Sequence, residues 1–181
     1  MRLAALSLLL ALCLCQPGDG QRVAAGASIA NYTALGYRAP TIGAWTEAHW
    51  GRIRALGEWR DSRKAWLDDG YTLAARATVD GPGWSGIAPL GAFGVVSHRN
   101  SQWTKAGAWW GAGARWRGVY SWYSPSDSSP NRVRTWLTGY EVRGSGRWQP
   151  VAAVEYTRDW FCCTGAAGGW GLAVRVGMTL R

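Results

Sequence analysis

Apolar and polar residues alternate along most of this chain with a period of two, the spacing of side chains on a β-strand and not of a helix. In "GGWGLAVRVGMTLR" the apolar row is Trp170, Leu172, Val174, Val176, Met178 and Leu180, and the other row mixes glycine with Arg175 and Arg181. "YTLAARATVD" sets Tyr71, Leu73, Ala75, Ala77 and Val79 against Thr72, Arg76, Thr78 and Asp80. "AWWGAGARWRGVYSWY" reads as one long strand, with Trp110, Trp116, Tyr120 and Trp122 on one face and Arg115 and Arg117 on the other. "WQPVAAVEYTRDW" opposes Trp148, Val154 and Tyr156 to Gln149, Glu155 and Asp159, and "RVRTWLTGYEVR" opposes Trp136, Tyr140 and Val142 to Glu141 and Arg143.

Two earlier segments, 42–60 and 85–97, alternate less cleanly. In "WGRIRALGEWR" a bulge at Gly51 is needed to bring Ile53, Ala55 and Trp59 to one face and Arg52, Arg54 and Glu58 to the other. With a first strand near "ASIANYTALGY", the pattern predicts eight strands, enough to close a barrel. "RGSGR" (143–147) reads as a tight turn, whereas "SPSDSSPN" and "FCCTGAAG" read as longer loops at the opposite end. With both ends of the domain on the tight-turn side, "DSRKAWLDDG" (61–70) has to be a long turn on that side, out of keeping with its neighbours.

Residues 1–20 have the form of a cleaved export signal: a charged start at Arg2, an apolar run from Leu3 to Cys15, then "QPGDG". Cleavage after Cys15, Gly20 or Ala25 would each leave small residues at suitable offsets, and the bulky Leu12 and Leu14 before the cysteines argue against lipid attachment. Residues 21–181 then form one β domain. No apolar run of about 18 residues follows, so no transmembrane helix is expected. The chain holds 14 Trp and 25 Gly at a formal net charge of +9, and its only lysines are Lys64 and Lys105. Arginine tolerates partial burial in forked hydrogen-bond networks, so much of this charge is expected to point inward. The positive balance suits anionic lipid or phosphorylated glycolipid. Nucleic acid is excluded as a partner, because no basic helix or zinc spacing accompanies the charge.

The alternation fits either an exported soluble barrel or sandwich that binds a ligand in an apolar interior, or a membrane barrel whose apolar face meets lipid. Strand length, aromatics near strand ends, and an alternate face of Gly, Ala, Ser and Thr with single charges favour lipid. In these features the chain resembles the small outer-membrane β-barrel proteins of Gram-negative bacteria. Arg175, Gly177 and Leu180 follow that family's terminal-strand pattern, and Arg181 falls one position before its closing aromatic. "GAWWGAGARWR" bears a fainter likeness to the C-terminal region of outer-membrane phage-adsorption proteins. The resemblance implies an eight-stranded antiparallel up-and-down transmembrane β-barrel in the outer membrane. Its partners would be membrane lipid, lipopolysaccharide and the barrel-assembly machinery, and its role structural, surface-interacting or adhesive, without catalysis.

Within that barrel Arg52, Arg54, Glu58, Arg76, Arg115, Arg117, Glu141, Glu155 and Arg175 are expected to form a charge network in the lumen. Desolvated charges need partners, which predicts a plugged interior. Trp110, Trp116, Trp122, Trp148, Trp170, Leu172, Val174, Val176 and Leu180 are expected on the lipid face or in its aromatic girdles. No cofactor and no metal site are expected: Cys162 and Cys163 are too few for tetrahedral zinc. The alternative chemistry is a lipid-modifying hydrolase on "SHRNSQW". His98 and Ser101 would pair as base and nucleophile there only if the segment turns, since a strand puts them on opposite faces. His49 is placed as a strand residue facing the interior or the interface. Asn31, in "NYT", is a glycosylation acceptor only on a eukaryotic secretory route.

Overall fold

A computed structural model describes residues 21–34, 37–61, 70–99, 104–125, 133–145, 148–161 and 169–180. The signal-type segment 1–20, Cys162, Cys163, Asn100 and Ser101 lie outside the described residues. Ten strands are found among those described: β1 (Gln21–Ala34), β2 (Tyr37–Trp50), β3 (Ile53–Asp61), β4 (Tyr71–Asp80), β5 (Ile87–Arg99), β6 (Thr104–Trp116), β7 (Val119–Ser124), β8 (Val133–Arg143), β9 (Trp148–Phe161) and β10 (Trp170–Leu180). Each pairs antiparallel with the next, and β10 closes on β1, so the sheet is an up-and-down barrel.

The expected strand count of eight is therefore corrected to ten, and both extra strands have the same origin. The predicted bulge near Gly51 is a two-residue hairpin turn that sets Trp50 opposite Ile53. Gly51, the first central residue, has φ 56°, a left-handed conformation open to glycine at little cost. The single long strand through "ARWRGVYSW" also folds back, with Trp116 opposite Val119 and Arg117 held at φ 54°. A two-residue turn shifts the in-out phase by one position. Beyond it Tyr120 and Trp122 therefore point into the barrel, and Trp122, expected on the lipid face, is 4% exposed whereas Trp110 is 55% exposed.

Ten strands also relocate the segment after Asp61. The connections 51–52, 81–86, 117–118 and 144–147 gather at one end with the start of β1 and the end of β10. Residues 62–69 lie outside the described residues, but Asp61 pairs with Tyr71 at the other end, so they join β3 to β4 there. Their placement among the tight turns followed from the short strand count and is corrected with it.

Two apolar clusters pack inside. Tyr120, Trp122, Leu137, Leu90 and Ala92 meet Trp109, whose ring lies parallel to that of Trp122 at 4.6 Å. Trp45, Leu56, Ala24 and Val151 form the second. Trp45 crosses the closing seam, donating from Nε1 to the carbonyls of Ala27 at 3.0 Å and Val176 at 3.3 Å. Glycine is required beneath it: a Cβ on Gly177 would lie 2.3 Å from the Ala25 carbonyl oxygen and 2.6 Å from the Trp45 ring.

Candidate functional site

The inward rows of the strands bring charged side chains from distant parts of the chain into one lattice. Glu155 on β9 is its centre. Arg76 Nη2 donates to Glu155 Oε1 at 2.6 Å, the Tyr120 hydroxyl donates to the same oxygen at 2.6 Å, and Arg175 donates to both oxygens at 2.8 and 3.1 Å. Arg175 also reaches the Tyr120 oxygen at 3.3 Å. Forked guanidinium pairing of this kind fixes orientation as well as charge.

A second group lies nearer the tight turns. Arg54 on β3 donates to Glu141 on β8 at 3.1 Å, and Arg143 Nε donates to the same oxygen at 2.5 Å. Arg143 also bonds Thr179 Oγ1 at 3.1 Å, contacts His49 Nε2 at 3.0 Å and pairs with Glu47, which in turn pairs with His49. Arg115 Nε donates to Asp80 at 3.0 Å and its guanidinium lies 5.0 Å from the centre of the Tyr120 ring. Toward the other end Arg60 donates to Glu58 Oε2 at 2.7 Å.

The geometry decides what this lattice can do. β3 and β8 stand on opposite walls of the ten-strand ring, as do β4 and β9. Arg54–Glu141 and Arg76–Glu155 therefore reach across the bore. Direct hydrogen bonds between opposite walls leave no room for an open aqueous channel at this level. The void there is about 20 Å³, room for about one water.

Seven of the nine expected network residues point into the barrel: Arg54, Glu58, Arg76, Arg115, Glu141, Glu155 and Arg175. Arg52 and Arg117 do not. Both occupy turns and are exposed, and Arg117 stacks over the Trp116 ring at 5.2 Å. Glu47, Arg60, Asp80, Tyr120 and Arg143 complete the lattice, as does His49, which the sequence had placed at the interior or the interface. Asp80 and Arg143 were legible from the alternation, because they share the polar rows of Arg76 and Glu141.

On the outer side Trp110, Trp116, Trp148, Leu172, Val174 and Val176 are exposed, and Trp170 is half-buried in the same row as Leu172. The side chain of Leu180 lies outside the described residues, as does that of His98, whose backbone pairs with Thr72 and Lys105.

With the barrel in place, known proteins can be compared. No family model matches the chain, and no curated protein matches it. It is similar to a solved barrel. The crystal structure of Neisserial surface protein A aligns over 90% of this chain and 97% of its own, at 15% identity and a TM-score of 0.43.

No group of three or more His, Cys, Asp or Glu side chains able to hold a metal occurs among the described residues. Both oxygens of Glu155 are taken up by arginine and tyrosine donors. Its arrangement is suited to holding walls together and not to accepting a substrate proton.

Proposed function

We propose that the chain is a transmembrane β-barrel of the bacterial outer membrane, with a closed lumen and a structural or surface-interaction role without catalysis. The observation that carries this is the polarity of the wall. The charge lattice faces the lumen, while the outer face presents Val142, Val154, Leu172, Val174, Val176 and Met178 among exposed Trp and Tyr side chains, with its arginines Arg99, Arg134 and Arg158 near the end opposite the tight turns. An exported soluble ligand-binding barrel calls for the reverse, and an apolar surface of this extent in water drives association.

Three further features support lipid as the surrounding solvent. An even number of antiparallel strands with short turns at one end is the arrangement of bacterial membrane barrels. Nine of the ten strands have at least the 9 residues of Ile53–Asp61, and crossing the hydrocarbon at a tilt takes about 9 to 11. Polar atoms on the outer face bond to one another. Trp136 Nε1 donates to Ser121 Oγ at 2.8 Å, and Ser121 lies 2.9 Å from Thr138 Oγ1. In hydrocarbon no water would satisfy them.

In this role residues 1–20 direct export and are removed, the assembly machinery inserts the barrel, and lipid and lipopolysaccharide surround it. Fractionation of expressing cells tests it. The protein is expected in the outer-membrane fraction, resistant to extraction by urea or carbonate, and faster-migrating on gels when unboiled. Recovery as a soluble protein without detergent would refute it.

A further inference from the structure

Between the charge lattice and the end of the barrel opposite the tight turns lies a lumen cavity of about 230 Å³. Its lining includes Glu58, Arg60, Trp109, Thr157 and the small side chain of Ala74. Six buried side-chain polar atoms lack a hydrogen-bond partner among the described residues, and two of them belong to inward-facing side chains of this lining, Glu58 Oε1 and Arg60 Nε. The Glu58 side chain is only 4% exposed. Orphaned polar atoms in a protein interior cost far more than paired ones, so their concentration in one chamber points to a guest that completes them.

The chemistry of the guest follows from what is missing. Glu58 Oε1 accepts, and Arg60 Nε donates. A cation would meet the guanidiniums of Arg60, Arg76 and Arg175, and an anion would meet Glu58 Oε1. Hydroxyl groups both donate and accept without charge. Trp109 adds a flat apolar wall, held in place by its stack on Trp122. Adjacent hydroxyls bridging a carboxylate and a guanidinium, with the C–H face of a ring against an indole, is the chemistry of a sugar. The volume is that of a handful of waters at about 30 Å³ each, enough for one six-membered ring. We propose that this chamber binds one monosaccharide-sized polyol, with Glu58 and Arg60 bonding its hydroxyls and Trp109 packing on its ring.

The Arg76–Glu155 and Arg54–Glu141 bridges close the chamber on the side of the tight turns. The proposal goes beyond the membrane reading and does not depend on it, since binding is measured on detergent-solubilised protein.

Equilibrium dialysis of the folded full-length chain against labelled D-glucose and labelled myo-inositol is the test. Saturable uptake of about one molecule per chain of at least one of them, in the millimolar range, is expected, with no competition by sucrose, which is too large for the chamber. Glu58→Gln is expected to weaken uptake at least about tenfold. Ala74→Phe, which fills the chamber beside Glu58 and removes no charged group, is expected to abolish it and serves alone if Glu58→Gln loses the heat-modifiable band of the folded barrel. Absence of saturable uptake of both probes up to about 100 mM, the outcome expected if only water fills the chamber, overturns the proposal. So does uptake that Ala74→Phe leaves unchanged.

Discussion

Replacing Glu155 by alanine removes the one carboxylate that holds Arg76, Arg175 and Tyr120 together. Four hydrogen bonds between 2.6 and 3.1 Å end on its two oxygens. At about 1.5 to 3 kcal/mol for each bond to a charged group, the simple sum would be about 6 to 12 kcal/mol. The bonds share one acceptor and are not additive, and part of the gain offsets the desolvation of three charges. Removing one partner of a buried ion pair costs about 3 to 5 kcal/mol, which is the loss expected here. It corresponds to a folding equilibrium lower by about two to four powers of ten. Unfolding of the refolded barrel in denaturant, followed by tryptophan emission and by the mobility of unboiled samples, measures it. Arg76→Gln in the Glu155→Ala background restores part of the loss, because one of the two unpaired guanidiniums is then gone. A cost below about 1 kcal/mol for Glu155→Ala, or strictly additive losses in the double variant, would show that the lattice does not hold the walls together.

Gly177→Val should prevent closure altogether, since a side chain there collides with the Ala25 carbonyl and the Trp45 ring; the heat-modifiable band should vanish, and a normally folded variant refutes the seam geometry. Gly51→Ala forces a Cβ into the left-handed region at φ 56° and should destabilise by about 1 kcal/mol, read as a lower denaturation midpoint with the fold retained. Trp136→Phe removes the donor to Ser121 on the outer face and should cost about 1 kcal/mol where no water replaces it; no loss at all would mean that this face is wet. In planar bilayers the intact protein should give no large steady channels, because ion pairs span the bore; steady conductance of hundreds of picosiemens would contradict the packing.

The in-out alternation was legible, and it placed most residues on the correct side of the wall. What it hid was the number of strands. Trp50-Gly51-Arg52-Ile53 and Trp116-Arg117-Gly118-Val119 are turns of two residues, so a strand and its returning partner read as one strand with a slipped phase. At Gly51 the slip is visible in the sequence, where it has the form of a bulge. At Arg117 a bulky cation occupies a left-handed position, with aromatics on both faces beyond it, so neither residue type nor phase marked the turn; Trp122 was assigned to the wrong face in consequence. The lattice was half visible for a related reason. Alternation says that Arg76 and Glu155 face inward, but they are 79 positions apart, and only the order of strands around the ring brings them together. Glu47 sits in a strand whose alternation is blurred by Thr46 and Ala48, and nothing local signals its partnership with Arg143.

The seam between β1 and β10 has a consequence in time. Every other pairing joins strands that follow each other in the chain, so each can form from a short local segment. The seam alone joins residues near the two ends of the domain, as Gly26 to Gly177, and its entropy of closure is the largest in the molecule. Nine hairpin contacts can therefore assemble as an open, curling sheet that waits on one encounter. The indole of Trp45, bonded to both sides of that join, acts as a clasp that the barrel can fasten only at the end of its folding.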